Sequence, residues 1–167
     1  MKIIKKIGSG GISNVFLVAS ATRKYAFKTL NLLKKSDNKA MLCLENEYDI
    51  LKKLDHPNIV KCFGWANIDE REGILLEFID GFSLSESIDE KLTFDFDKLE
   101  KVLEYLHNRC IVHNDITQKN IMIDNKENLK LIDFSMSYEV SSEYYNDFHI
   151  HCQSDTISLN KIKQQFI

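Results

Sequence analysis

Two acidic side chains and one amide in the second half of the chain could hold a metal ion, with one carboxylate left to accept a proton. His113, Asp115 and Asn120 fall within one short segment, and Asp133 follows Asp115 by 18 residues at the end of an apolar run. Carboxylate and amide oxygens are the hard ligands that Mg²⁺ prefers in proteins. The pattern therefore predicts a magnesium site, with one carboxylate left to act as a base.

Two further charges stand among apolar neighbours in the first half of the chain. Lys28 is in the interior of a β-rich run, and Glu47 lies on the same face of a predicted helix as Leu44, Tyr48 and Leu51. A charge in apolar surroundings is costly unless an opposite charge meets it. The sequence therefore predicts a Lys28–Glu47 ion pair, and two separate surface charges are the alternative.

A glycine cluster near the amino terminus could contact phosphate groups. Gly8, Gly10 and Gly11 lie between two predicted strands. Glycine lets a backbone approach a phosphate closely and turn its N–H groups toward it. A plain β-hairpin turn explains the cluster equally well, so this feature alone does not decide between the two interpretations.

The hydrophobic pattern of the first half predicts the elements that position Lys28 and Glu47. A single helix is predicted between the third and fourth strands, and it should end near Pro57 because the residue before a proline disfavours the α conformation. Strands are predicted at residues 1–8, 13–19, 24–30, 59–65 and 73–79.

The second half has a different pattern, which is mainly helical. Short apolar runs at 121–123 and 129–132 flank a turn. An amphipathic helix and a final helix carry apolar residues at helical spacing, namely Leu99, Val102, Leu103 and Leu106 in the first and Leu159, Ile162 and Phe166 in the second. The complete order predicts an α+β fold with a β-rich first part.

Composition narrows the functional classes. The chain has 167 residues, 44% of them hydrophobic, and a formal net charge of −3, so no overall basic field favours nucleic acid. We expect no membrane span, no secretory signal and a cytoplasmic location. The cysteines form no CxxC pair and suggest reduced thiols rather than a zinc site; they are Cys43, Cys62, Cys110 and Cys152.

Taken in order, these motifs resemble the eukaryotic-type protein kinase family. The glycine loop, the strand lysine, the His113-to-Asn120 loop and the Asp133-Phe134 pair match its signature motifs. The resemblance runs from Gly8 to about Lys161. It implies one kinase-like domain over 1–167 with a two-lobed fold, a β-rich N-lobe with one helix at 1–79 and a shortened helical C-lobe at 80–167.

The resemblance also implies a role for each position and the cofactors ATP and Mg²⁺. Asp115 is expected to orient and deprotonate the acceptor hydroxyl, and Lys28, paired with Glu47, is expected to bind the α- and β-phosphates. Asn120 and Asp133 are expected to ligate Mg²⁺. His113 is expected to be a packed structural residue beneath Phe134 and Leu51. The expected nucleotide-binding residues are Gly8, Gly10, Gly11, Val15, Ala26, Lys28, Glu77, Ile79 and Met122.

Three residues of the second half depart from the family pattern, and in the first half Ser13 takes the place of the third loop glycine. Asn114 replaces the arginine that usually receives an activation-loop phosphate, so we expect activity without loop phosphorylation. Thr117 replaces a lysine that usually steadies the γ-phosphate, which leaves the rate and the acceptor type open. Ser135 replaces a glycine and would be strained by roughly 1 kcal/mol if its φ were positive.

The segment after Ser135 is short. Asp155, which resembles the aspartate that supports the catalytic loop, comes only 22 residues after Asp133, and no A-P-E motif lies between them. If the chain is a truncated gene product, we expect its last helix to expose an apolar face, formed by Leu159, Ile162 and Phe166, and to need a protein partner there.

Three functions remain open at this point. The first is a protein serine/threonine kinase, whose acceptor is a protein. The second is a kinase for a small hydroxyl-bearing molecule or glycolipid, because the loop from His113 to Thr117 is similar to those of choline, aminoglycoside and lipopolysaccharide kinases. The third is a regulatory binding module without activity. Retention of the charged residues favours an enzyme that uses ATP.

Overall fold

The computed structural model describes residues 1–34, 36–86, 94–141 and 148–166. The chain separates into two compact units, the first formed by residues 1–54 and 61–79 and the second by residues 55–60 and 80–167. The predicted α+β class with a β-rich first part is confirmed. Within the described ranges, no helix has both the length and the apolar character needed to cross a membrane.

The first unit is an antiparallel five-stranded sheet with one helix. The strands occur in the sheet in the order β1-β2-β3-β5-β4. Helix α1 begins after Asp37, whose side chain accepts the N–H groups of Lys39 and Ala40 as an N-cap. The elements are β1 (Lys2–Ser9), β2 (Ser13–Ala19), β3 (Lys24–Leu30), α1 (Asn38–Leu51), β4 (Cys62–Ile68) and β5 (Arg71–Glu77).

The fourth and fifth strands differ from the sequence prediction. β4 begins three residues later than predicted and β5 ends two residues earlier. Ile59 instead forms a bridge with Leu131, and the Val60 N–H donates to the Leu131 carbonyl, so these apolar residues belong to the second unit. Helix α1 also ends before the predicted boundary, because the N–H groups of Lys53 and Leu54 bond three residues back.

The second unit consists of two helices and short strands around an apolar core. The apolar stripe of α2 is buried, as predicted from its spacing. The runs near 121–123 and 129–132 form the paired strands β8 and β9. The elements are β6 (Gly81–Ser83), α2 (Asp97–His107), β7 (Ile111–Val112), β8 (Ile121–Asp124), β9 (Leu129–Leu131), β10 (Tyr138–Glu139) and α3 (Phe148–Lys163).

The predicted exposed face of the last helix was wrong. Leu159 and Ile162 are only 2% and 6% exposed, because α3 packs within its own unit. Phe166 follows the helix and makes tilted and edge contacts with the rings of Phe94 and Phe96. Other residues of the chain therefore cover this face.

Candidate functional site

The predicted ion pair in the first unit is confirmed. Lys28 Nζ lies 2.6 Å from Glu47 Oε2, and the two side chains are 6% and 1% exposed. Strand β3 places Lys28 between Val15 of β2 and Ile74 of β5, while α1 presents Glu47 on its buried face. A cation is therefore held in fixed position within an apolar layer, where it is well placed to meet an anionic ligand.

The glycine loop, residues 8–13, joins β1 to β2. The Gly10 N–H donates to the Ser13 carbonyl at 2.8 Å, which closes the turn. Gly8 lies opposite Val15, whereas a Cβ added at Gly11 would have no atom within 4 Å. Neither crowding nor a positive φ requires glycine at position 11. The open space beside this residue is therefore available to a ligand that approaches the backbone.

The residues predicted to contact adenine belong to both units. Ala26 is buried on β3 and Val15 is half-buried on β2. The N–H of Glu77 donates to the Lys61 carbonyl at 2.8 Å, so a contact of this residue with a base would have to use its carbonyl. Ile79 is buried in the first unit, and Met122 is half-buried on β8 in the second. Their predicted roles stay predictions.

In the second unit, Asn120 holds Asp115. Asn120 Nδ2 donates to the Asp115 carboxylate at 2.7 Å and to its carbonyl at 3.0 Å. Asn120 is buried at the end of a 3₁₀ turn that begins at Gln118. Since Nδ2 is directed at Asp115, the amide oxygen of Asn120 is the atom that can meet a cation. The arrangement fixes a half-buried carboxylate that could accept a proton from a hydroxyl group.

Asp133 follows β9 and adopts a left-handed conformation with φ of 61°. Its Oδ1 accepts the N–H of Ser135 at 3.3 Å. The described residues contain no group of three or more His, Cys, Asp or Glu side chains arranged to hold a metal. Asn120 and Asp133 nevertheless supply the hard oxygens that Mg²⁺ uses when phosphate oxygens and water complete its shell, so the donor set fits the predicted ion.

Asp155 supports the loop that carries Asp115, as the resemblance implied. This carboxylate on α3 is 1% exposed and accepts the backbone N–H groups of His113 at 2.9 Å and Asn114 at 2.8 Å. His107 Nε2 lies 3.1 Å from the same carboxylate. The loop backbone is therefore fixed from beneath by a charged acceptor.

His113 is a packed residue, as predicted. It is fully buried, and its ring makes an edge contact with Phe134 at 4.6 Å between centroids. Its Nδ1 accepts the Asp115 N–H at 3.3 Å, which places the proton on Nε2 facing the Ile132 carbonyl. Burial lowers the pKa of His113, and the nearby Asp155 carboxylate only partly opposes that effect.

The three departures from the family pattern have different structural outcomes. Ser135 is not among the residues with positive φ, so the strain expected for its Cβ is absent. The exposed Asn114 has φ of 63°, and its Nδ2 donates to the Met136 carbonyl at 3.4 Å. Thr117 is exposed just before the 3₁₀ turn. Activity without loop phosphorylation stays a prediction.

Two residues near the site were not predicted from the sequence. Asn31 contacts the glycine loop, and His107 contacts Asp155. Neither belongs to a motif, since each acts through a contact with a residue distant in sequence. The amphipathic pattern of α2 could have indicated that His107, one position after the buried Leu106, lies near the core.

Comparison with known protein families gives a match to one family. Residues 1–153 match the model of the protein kinase domain. This match covers most of the chain, including the first unit, the loop from His113 to Asn120 and Asp133.

Individual relatives are also protein kinases. The chain is 42% identical to mitogen-activated protein kinase kinase kinase 2 of Arabidopsis thaliana over 59% of this chain and 16% of that protein. It is 31% identical to serine/threonine-protein kinase PrkC of Bacillus subtilis over 84% of this chain and 23% of that protein. It is 34% identical to serine/threonine-protein kinase cds1 of Schizosaccharomyces pombe over 81% of this chain and 32% of that protein. The aligned parts span less than half of each relative's length.

Proposed function

Because this chain belongs to the protein kinase domain family, we propose that it transfers a phosphoryl group from Mg²⁺-bound ATP to a serine or threonine hydroxyl of a protein. The buried Lys28–Glu47 pair is the observation that carries this proposal. A buried ion pair adds little net stability and is often replaceable by apolar residues, so folding alone does not account for it.

Each unit has its own residues with a proposed role in phosphoryl transfer. In the first unit, Lys28 neutralises phosphate charge and the glycine loop covers the phosphates. In the second unit, Asp115 orients the acceptor hydroxyl and accepts its proton, while Asn120 and Asp133 would hold Mg²⁺. When bound, Mg²⁺ supplies a positive charge that stabilises the transferring phosphoryl group.

The comparisons favour a protein acceptor over a small molecule. Two of the relatives that match over four fifths of this chain, PrkC and cds1, carry the description serine/threonine-protein kinase. The similarity of the His113-to-Thr117 loop to small-molecule kinases makes a small hydroxyl-bearing acceptor the competing possibility. The two are distinguished by which acceptor receives the labelled phosphate.

The test is turnover of γ-labelled ATP by the purified chain, with and without Mg²⁺ and a generic protein acceptor such as casein. Wild type is compared with Lys28→Ala, Asp115→Asn and Asp133→Ala. Each variant removes one charge from the proposed transition-state environment, so each should lower turnover by about 100-fold or more. Lys24→Ala, at the exposed end of the same strand β3, is the matched control and should retain wild-type turnover.

Labelled casein that requires Mg²⁺, Lys28 and Asp133 supports the proposal. Labelling of a small alcohol or aminoglycoside in place of casein would move the function to the small-molecule class. If wild type and Asp133→Ala are equally inactive toward every acceptor, a regulatory binding role replaces the enzymatic one.

A further inference from the structure

Asn31, the residue that follows β3, contacts the glycine loop through both its side chain and its backbone. Its Nδ2 donates to the Gly11 carbonyl at 3.1 Å, and its backbone N–H donates to the Ile12 carbonyl at 3.0 Å. Both acceptors lie at the tip of the loop. Asn31 therefore links the tip directly to the end of the strand that carries Lys28.

Other hydrogen bonds of the loop join residues of the same hairpin. Ser9 Oγ donates to Asn14 Oδ1 at 3.1 Å, and the Gly10 N–H donates to the Ser13 carbonyl at 2.8 Å. Such bonds fix the shape of the hairpin but not its placement relative to β3. The two bonds from Asn31 differ because they extend the β2–β3 pairing beyond its last pair, Ser13 with Leu30, to the tip of the loop, which is 19 and 20 residues away in sequence.

The side chain of Asn31 carries a polar atom that the fold does not use. Its Oδ1 is buried, and within the described part of the chain it has no hydrogen-bond partner. The orientation is fixed, because only the Nδ2 group can donate to the Gly11 carbonyl. A buried acceptor without a partner destabilises a fold. Stability alone therefore does not explain an amide at this position.

We infer that Asn31 is a positioning residue for the nucleotide: it holds the glycine loop at a fixed distance from Lys28 so that both can contact one polyphosphate. This inference rests on the proposed function, since it assigns Asn31 to the phosphate-binding part of that site. Asn31 acts through the loop and not by touching the reacting atoms.

The experiment compares Asn31→Ala and Asn31→Asp with wild type in ATP affinity, loop protection and thermal stability. Loss of one hydrogen bond should raise the Kd and the KM for ATP about fivefold, with kcat changed less than twofold. Amide hydrogen exchange in residues 9–13 should become faster without nucleotide. Asn31→Ala also removes the buried Oδ1, so its melting temperature should equal or exceed that of wild type.

The two variants and a control separate positioning from a general structural role. Asn31→Asp keeps the shape of the side chain but cannot donate to the Gly11 carbonyl, so it should weaken ATP binding at least as much as Asn31→Ala. Asn67→Ala, an exposed position on β4 of the same unit, should leave all three readouts unchanged.

Unchanged ATP affinity in Asn31→Ala would overturn the inference, even if loop exchange became faster. A lowered melting temperature together with weaker binding would also overturn it, because Asn31 would then act through stability. Absence of ATP binding by the wild-type chain overturns the proposed function and the inference together, which distinguishes that failure from the failure of Asn31 alone.

Discussion

Two buried carboxylates, one in each unit, are stabilised in different ways. Glu47 in the first unit lies 2.6 Å from the Lys28 ammonium group. Asp155 in the second unit accepts two backbone N–H groups, from His113 and Asn114, and lies beside His107. Both side chains are 1% exposed. The first carboxylate fixes a charged side chain, whereas the second fixes the course of a loop.

This difference separates the roles of the two regions. A carboxylate paired with lysine orients a cation that can also attract a ligand anion. A carboxylate bound to backbone N–H groups cannot present its partners to a ligand, but it fixes the φ/ψ angles of the residues that follow. The first unit thus holds a charged side chain in position, and the second fixes the loop that carries Asp115.

The largest expected effect is on the ion pair of the first unit. Removing either charge leaves the other buried without its partner, so Glu47→Ala should lower the free energy of unfolding by about 3–5 kcal/mol. The double variant Lys28→Met with Glu47→Leu replaces both charges by apolar groups and should recover most of that loss. Urea unfolding followed by circular dichroism gives these values.

The double variant should nevertheless lack ATP turnover, because the proposed phosphate-binding cation is gone. Lys52→Met, which removes the lysine of the exposed Lys52–Asp49 pair, is the control and should leave the free energy of unfolding close to that of wild type. If Glu47→Ala proved no more destabilising than this control, the pair would not matter to the fold in the way proposed.

The second largest effect is expected at Asp155. Asp155→Ala leaves two loop N–H groups without their acceptor, which should cost about 2–3 kcal/mol of stability and abolish turnover. Asp155→Asn keeps one acceptor oxygen and should lose about half as much stability. Asp97→Ala, an exposed carboxylate on α2, is the matched control for urea unfolding. Wild-type turnover in Asp155→Ala would contradict the loop-fixing role.

Features of the fold and the site could be predicted from the sequence where a local pattern or a family motif indicates them. The Lys28–Glu47 pair was predictable because each charge is conspicuous in an apolar pattern. The packing of His113 and the support from Asp155 followed from a family resemblance and not from spacing, since their contacts span 19 to 42 residues. The fold class was accessible because the strand and helix patterns change sharply after residue 79.

The misplaced elements share a physical cause, which is contact with distant residues. Ile59 and Val60 were predicted to begin β4, but Ile59 forms a β-bridge with Leu131 and the Val60 N–H donates to the Leu131 carbonyl. Phe166 was predicted to be exposed, but the rings of Phe94 and Phe96 pack against it. Local periodicity contains none of this information.

A smaller effect concerns pH and sharpens the comparison at the loop beside Asp155. Burial lowers the pKa of His113, so the native state keeps this ring neutral while the unfolded chain binds a proton below its ordinary pKa near 6.5. The unfolded state therefore gains protons as the pH falls, and stability is full above that pH and lost below it. The loss of stability from this residue should therefore grow as the pH falls from 7.5 to 5.5.

The measurement is urea unfolding between pH 7.5 and 5.5 for wild type and His113→Gln. The free energy of unfolding should change with pH more steeply in wild type than in His113→Gln, by the contribution of one histidine. Burial and the nearby Arg109 also lower the pKa of His56, so His56→Asn should remove a separate part of the slope with the same sign. Equal slopes for wild type and His113→Gln would show that His113 is not held neutral.

The smallest effect on stability is expected in the glycine loop, where the space beside Gly11 is open. Gly11→Ala adds a Cβ with no neighbour within 4 Å, so the free energy of unfolding should stay within about 0.5 kcal/mol of wild type. Gly73→Ala is the contrast within the same unit, because its Cβ would lie 2.1 Å from the Lys28 carbonyl and must distort the β3–β5 pair.

Gly11→Ala should instead raise the KM for ATP several-fold, since a Cβ there narrows the space over the phosphates. A Gly11→Ala variant with both wild-type stability and wild-type KM would mean that the open loop is only a hairpin turn, and that the ligand-binding character of the first unit depends on Lys28 alone.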